Sequence, residues 1–182
     1  MSTALILVDI QLDYFPGGRM EVPGSSEAVR AAKNLLTNFR EKNQPIVHIQ
    51  HISNRAGATF FLPDTEGINF HEYVKPLPEE AVIRKHFPNS FRETALDDYL
   101  ISKGIKNVLV CGMMTQMCID ATVRAAFDKG YSCLVAHDAC AARNLSFNGV
   151  DIEAGQVHAA YMAALGAVYA KVVSSEEIVG KI

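Results

Sequence analysis

The stretch Asn107-Val108-Leu109-Val110-Cys111-Gly112-Met113-Met114-Thr115-Gln116-Met117-Cys118 decides how this chain is read. Asn107 to Cys111 is an apolar run of the kind that forms a buried strand. Thr115 to Lys129 has helical spacing and ends at Gly130. Cys118 therefore stands about one turn into a helix that starts at the C-terminal end of a strand. In an open α/β sheet, ligands bind along that edge. A thiol in the first helical turn also meets the positive end of the helix dipole, so the sequence predicts a thiol biased toward thiolate.

Outward from this junction the chain alternates. Ala4 to Val8 is an apolar run ending in Asp9, and Ser26 to Glu41 carries Val29, Ala32, Leu35, Leu36 and Phe39 at helical spacing. Pro45 to Ile49 reads as a second strand and Ala81 to Arg84 as a third, ending at Lys85. Ser90 with Glu93 three residues on matches a capping box, which predicts a helix from Ser90 to Ser102. Tyr131 to Ala136 and Val168 to Val173 read as further strands, with helices over Asp151 to Leu165 and Ser174 to Val179. Residues 53 to 78 lack a period and hold Phe60, Phe61, Phe70 and Tyr73, which suggests a functional loop. The expected fold is α/β: a three-layer, doubly wound, Rossmann-like arrangement of a largely parallel six-stranded sheet with helices on both faces. No boundary or repeat divides the chain, so residues 1–182 are expected to form a single domain.

Composition narrows the function. The 182 residues are 49% apolar and 20% charged, with a formal net charge of −3. The basic residues are scattered, so no nucleic-acid surface is expected. No apolar run is long enough to span a bilayer, and the start of the chain has no basic leader, so a cytoplasmic location and no membrane partner are expected. The cysteines Cys111, Cys118, Cys133 and Cys140 form no CxxC pair. Cys111 and Cys133 lie in apolar runs and read as inert core thiols, whereas Cys140 is ambiguous.

The strand ends bring Asp9, His51, Lys85, Thr115 with Cys118, and Asp138 toward one crevice. Among these, Cys118 can attack an electrophilic carbon, Asp9 can serve as its base and then as an acid, and Lys85 can hold the charged forms by proximity. Backbone N–H groups of Met114 and Cys118 can receive an oxyanion. Each residue alone has a common structural use: a cap or ribose ligand for Asp9, a solvated charge for Lys85, packing for Cys118. The catalytic reading rests on their convergence on one sheet edge.

Three blocks carry a resemblance over nearly the whole chain. They are Val8-Asp9-Ile10-Gln11-Leu12-Asp13-Tyr14-Phe15 with Gly17-Gly18; Lys85-His86-Phe87-Pro88-Asn89-Ser90-Phe91 with Thr94, Leu96 and Leu100; and Gly112 through Ala126 with Asp138-Ala139-Cys140-Ala141. The chain resembles the isochorismatase-like cysteine hydrolase superfamily, which includes nicotinamidases, N-carbamoylsarcosine amidases and streptothricin hydrolase. The resemblance implies an Asp9-Lys85-Cys118 triad, a cis peptide bond before Met114, and hydrolysis of a small amide-type C–N substrate through an acyl-thioester. It also implies a homo-oligomer, dimeric or larger. Nicotinamidases carry an Asp-x-His metal pair where this chain has His51-Ile52-Ser53, and His48, His71 and His86 lack paired spacing, so no catalytic metal is expected. Isochorismatases cleave a vinyl ether without a thiol, so a retained Cys118 speaks against that alternative.

The expected pocket is lined by Gln11, Phe15, His51 and Phe91, with Phe60 or Phe61 from the long loop. Phe60, Phe61, Phe87 and Phe147 serve equally well as core or subunit-interface residues. Three non-hydrolase readings compete, one of them a catalytically silent family member acting as a binding scaffold, against which the complete triad speaks. A dinucleotide or flavin module would need a glycine-rich phosphate loop after the first strand, and Asp9 to Pro16 contains none, so no cofactor is expected. A thiol redox sensor would suit a low-pKa Cys118, but no resolving cysteine is near it in sequence.

Overall fold

The computed structural model describes residues 2–180. A six-stranded, fully parallel sheet forms its centre. The strands are β1 (Thr3–Val8), β2 (Ile46–His51), β3 (Ala81–Lys85), β4 (Asn107–Met113), β5 (Ser132–Ala141) and, last in the chain, Lys171–Val173. Between β5 and that last strand lies an antiparallel hairpin of β6 (Leu145–Phe147) and β7 (Val150–Ile152), so Lys171–Val173 is β8. The sheet order is β3-β2-β1-β4-β5-β8, which makes β1 and β4 the neighbours at which the winding direction reverses. That reversal opens a crevice beyond their C-terminal ends.

Helices α1 (Ser25–Glu41) and α5 (Ser175–Val179) pack together on one side of the sheet, and α3 (Asp120–Asp128) and α4 (Ala154–Val168) pack on each other. The remaining helix, α2 (Leu96–Ser102), precedes β4. The central strands are buried on both faces: Ala4, Leu5, Ile6 and Val8 in β1, and Val108 through Cys111 in β4, are wholly enclosed. Each large side chain so buried stabilises the fold by about 1.5–3 kcal/mol. Edge strand β3 instead alternates, with Val82 exposed and Lys85 turned inward. Gly112 is required where β4 meets β1. Its φ is 123°, and any Cβ there would collide with the Val8 carbonyl.

Several sequence expectations shift. No helix starts at Ser90; α2 starts at Leu96. The Ser90 hydroxyl is buried against Thr122 Oγ1 at 2.8 Å, its carbonyl accepts from Thr94 Oγ1 at 2.6 Å, and Glu93 has a φ of 56°. Tertiary partners have displaced the local capping box. Strand β5 runs past Ala136 to Ala141, because a bulge opposite Val110 and Gly112 lets it continue along β4. Asp138 consequently does not reach the crevice. It accepts the backbone N–H and hydroxyl of Ser175 at 2.7 and 2.6 Å, at the start of α5.

The β6–β7 hairpin replaces the expected start of the helix at Asp151, so α4 begins at Ala154 and runs to Val168, shortening the last strand to three residues. Its two-residue turn, Asn148-Gly149, has φ of 50° and 78°, the sign pattern of a tight hairpin turn. The segment over residues 53–78 is irregular apart from two short 3-10 turns, Glu66–Ile68 and Glu72–Val74, and a single bridge from Phe70 to Gln11. No helix among the described residues is long and apolar enough to cross a membrane.

Candidate active site

Three strand ends deliver the central residues. Asp9 follows β1 in a left-handed conformation, φ 51°, which few non-glycine residues adopt. Lys85 closes β3 and points inward from an edge strand. Cys118 lies in a π-turn, Thr115–Ile119, between β4 and α3 rather than in a regular first helical turn. Single π-turns within helices recur at functional sites. The peptide bond between Met113 and Met114, immediately before this turn, is cis.

All three side chains are enclosed: Asp9 is 0%, Lys85 1% and Cys118 3% exposed. The Lys85 ammonium stands 2.8 Å from Asp9 Oδ2 and donates to the Pro88 carbonyl at 2.8 Å. The Cys118 thiol, the Asp9 carboxylate and an imidazole nitrogen of His51 all lie within 4.8 Å of one another. Burial pushes the Asp9 carboxyl up, but Lys85, then His51 and Cys118, outweigh it and hold Asp9 below the usual carboxylate range. Burial likewise pulls the Lys85 ammonium down, and Asp9 with Cys118 outweighs it. The resting pair is therefore carboxylate and ammonium.

The thiol departs from the sequence expectation. Burial, followed by the Asp9 charge, pushes Cys118 up to about 12 against the opposing pull of Lys85. Desolvation and a neighbouring carboxylate overcome the helix end, so the resting sulfur carries its proton. The remaining cysteines Cys111, Cys133 and Cys140 are also buried free thiols raised by desolvation.

A cavity of about 860 Å³ opens over Cys118. His51, Phe60, Met114, Cys118 and Pro88 line it, together with Tyr14, Met20, Gln116 and Arg143. Three expected lining residues are elsewhere. The Gln11 amide is consumed: it accepts the His51 N–H at 2.7 Å and donates to the His51 and Ile68 carbonyls at 2.9 and 3.0 Å. It frames the end of β2 instead of meeting a ligand. Phe15 packs on His71 with ring centres 4.3 Å apart, and Phe91 stacks on Tyr131 at 6.0 Å. Phe61 is core, packed on Tyr14 at 4.6 Å. Thr115 is buried and pairs with His158 Nδ1 at 3.0 Å, which ties the π-turn to α4.

Sequence reasoning missed Tyr14, one residue before the expected Phe15, and the wall from Arg143 to Ser146. The Asn148-Gly149 dipeptide was the available signal for the latter, because it marks the hairpin whose first strand supplies that wall.

Asp9, His51 and Cys118 form the one carboxylate–imidazole–thiol group with metal-like spacing among the described residues. The Lys85 ammonium, 2.8 Å from one oxygen of that carboxylate, competes with any dication for it. His48 is committed to Glu80 at 2.8 Å, and His71 packs on Phe15.

A doubly wound sheet with a carboxylate, an ammonium and a thiol gathered beyond its strand ends defines an α/β protein with a candidate site at that edge. The isochorismatase-domain family model matches residues 3–177, and the chain belongs to the isochorismatase family. It is 49% identical to the isochorismatase family protein YddQ of Bacillus subtilis over 97% of this chain and 98% of that protein. Streptothricin hydrolase of Streptomyces noursei is 35% identical over 75% of this chain but only 53% of its own length. The crystal structure of an isochorismatase-type hydrolase from Oleispira antarctica superposes with a TM-score of 0.94 at 45% identity, covering 98% of this chain and 96% of that one.

Proposed function

We propose that this protein hydrolyses a small amide-type C–N bond, with Cys118 as nucleophile, Asp9 as proton carrier and Lys85 as the charge that keeps Asp9 ionised. The observation that carries this reading is the Asp9 carboxylate, held between the Lys85 ammonium at 2.8 Å and the Cys118 thiol at the floor of the cavity.

The thiol proton passes to Asp9 as sulfur attacks the carbonyl carbon, and the carbonyl π electrons move to oxygen. The N–H groups of Met114 and Cys118 receive that oxyanion. Collapse re-forms the carbonyl and breaks the C–N bond, while the proton on Asp9 goes to the departing nitrogen. This leaves an acyl-thioester and a free amine or ammonia. Water then gives a proton to Asp9 as its oxygen adds to the thioester. The second collapse expels sulfur, which recovers the proton and releases a carboxylic acid. A protonated resting thiol suits this order, because Asp9 removes its proton only as the S–C bond forms.

The test is a panel of small amides, carbamoyl compounds, lactams and isochorismate, assayed with wild type and Cys118→Ala. Release of ammonia or amine from one compound is expected, reduced by about a thousandfold or more in Cys118→Ala. Undiminished C–N hydrolysis by that variant removes Cys118 from the chemistry. Cleavage of isochorismate that is indifferent to Cys118→Ala replaces the amidase reading with vinyl-ether hydrolysis.

A further inference from the structure

Asp9 is poorly placed to meet water. Asp9 and Lys85 are 0% and 1% exposed, and neither is among the described residues that line the cavity. Cys118 and His51 do line it. When sulfur is acylated this is no obstacle, because the thiol already stands beside Asp9. When the thioester is hydrolysed, the proton starts on a water in the cavity, where Asp9 has no surface.

His51 spans that gap. Its Nδ1 stands 3.8 Å from Asp9 Oδ2, shut off from solvent and without a hydrogen-bond partner among the described residues. A buried polar atom left unpaired is rare in a folded protein and points to a functional demand on it. The ring as a whole is not sealed, since the side chain keeps 14% exposure and lines the cavity. A carboxylate beside Nδ1 favours the tautomer that carries the proton there. The Nε2 lone pair is then the acceptor. The ring is also held in place. The Gln11 amide grips both backbone groups of His51, at 2.7 and 2.9 Å, and the ring packs on Phe61 with centres 5.7 Å apart. The other imidazole in the cavity wall is committed: His86 Nδ1 lies 2.7 Å from the Ile52 carbonyl.

We infer that His51 is the proton carrier of the second half-reaction: Nε2 takes a proton from the water that attacks the acyl-thioester, and Nδ1 hands one to Asp9. The inference rests on the nucleophile assignment above and adds a catalytic residue to the same site. The water oxygen bonds to the thioester carbon, and the carbonyl π electrons move to oxygen. The water proton joins Nε2 while the Nδ1 proton crosses to Asp9 Oδ2. The resting separation of 3.8 Å closes for this transfer, as catalytic contacts do in a reacting complex. Collapse breaks the C–S bond. Sulfur leaves with the bonding pair and takes the proton from Asp9, and the carboxylic acid departs. The ring, now protonated on Nε2, regains its first tautomer by exchange with cavity water.

The test uses p-nitrophenyl acetate, an activated ester that acetylates thiols. Nitrophenolate release reports the first step, and peptide mass spectrometry reports acetyl groups on Cys118. Wild type is expected to release nitrophenolate continuously and to retain little acetyl. His51→Gln should slow the first step by no more than about threefold and the loss of acetyl from Cys118 by about a hundredfold, so that the acetyl-enzyme accumulates. Imidazole added to the isolated acetyl-enzymes should speed acetyl loss from His51→Ala, where the ring has left a space, and not from His51→Gln, where a side chain fills it. Acetyl loss from His51→Gln at the wild-type rate, equal slowing of both steps, or imidazole acting alike on the two variants overturns the proton-carrier inference and leaves Cys118 as nucleophile. If folded wild type releases nitrophenolate no faster than Cys118→Ala, the nucleophile reading fails and the inference falls with it.

Discussion

The Asp13 carboxylate accepts the backbone N–H of Phe61, 48 positions further along the chain, at 2.6 Å, and also that of Arg19 at 3.2 Å. Gly67 stands so close to the same carboxylate that a Cβ there would strike it. One buried side chain thus fastens the irregular segment from residue 53 onward to the turn after β1. Asp13→Ala leaves the Phe61 N–H buried without an acceptor, a cost of about 1–3 kcal/mol. Tryptic cleavage after Arg55, on the exposed part of that segment, is expected to accelerate about tenfold. A cleavage rate equal to wild type means that other contacts hold the segment.

Asp9 and Lys85 are both out of water and 2.8 Å apart. Taking away one partner strands the other charge, so Lys85→Met is expected to destabilise the fold by about 3–5 kcal/mol. Combining it with Asp9→Leu should cost clearly less than the two single changes added together. Urea denaturation of the four proteins supplies the comparison, and strict additivity would mean that the pair does not act as a unit.

Gly112 meets β1 where no side chain fits. Gly112→Ala forces β4 away from Val8 and places an alanine at a φ of 123°. The expected loss is about 2–4 kcal/mol, read as a lower urea midpoint with an unchanged slope. A midpoint within error of wild type shows that the two strands can part there without penalty.

Acid should weaken the protein through Glu80. Burial opposes its ionisation, but Arg40, the Leu77 N–H and His48 hold its carboxyl at about 2 instead of 4.5. A carboxyl depressed in the folded state stabilises above its unfolded value, and that contribution is lost as pH falls from about 4.5 toward 2. His48 adds to the trend from a higher pH. Burial lowers it despite Glu80, so below about 6.5 the unfolded chain takes up that proton first. Glu80→Gln is expected to be less stable at neutral pH and to show a flatter decline between pH 4.5 and 2. Parallel stability curves for the two proteins would exclude this carboxyl as the source.

The proposed catalytic positions were legible because each stands at the end of a strand. Asp9 is the first charged residue after β1, which is buried on both faces; Lys85 was read as the residue that closes the short edge strand β3, and Cys118 by its place after β4. The wall of the cavity was not legible by the same means. Phe15 and Phe91 are neighbours of catalytic blocks along the chain, but side-chain direction, not proximity in sequence, decides what faces a cavity; Tyr14 points in and Phe15 packs on His71. Gln11 was misplaced for a related reason, because its amide is satisfied by backbone groups of β2 and the long segment, contacts that no local pattern encodes. The Ser90 capping signal was genuine as a pattern and was overridden by a hydroxyl on a distant helix.

That last contact has a consequence in time. Ser90 follows the Lys85 loop and Thr122 follows Cys118, so their paired hydroxyls brace the two halves of the chemistry before any ligand arrives. On the proposed mechanism the reacting groups would then need no assembly during turnover. Differences in rate between one compound and another should then originate in how each settles against the walls, which makes this a rigid anvil beneath an adjustable grip.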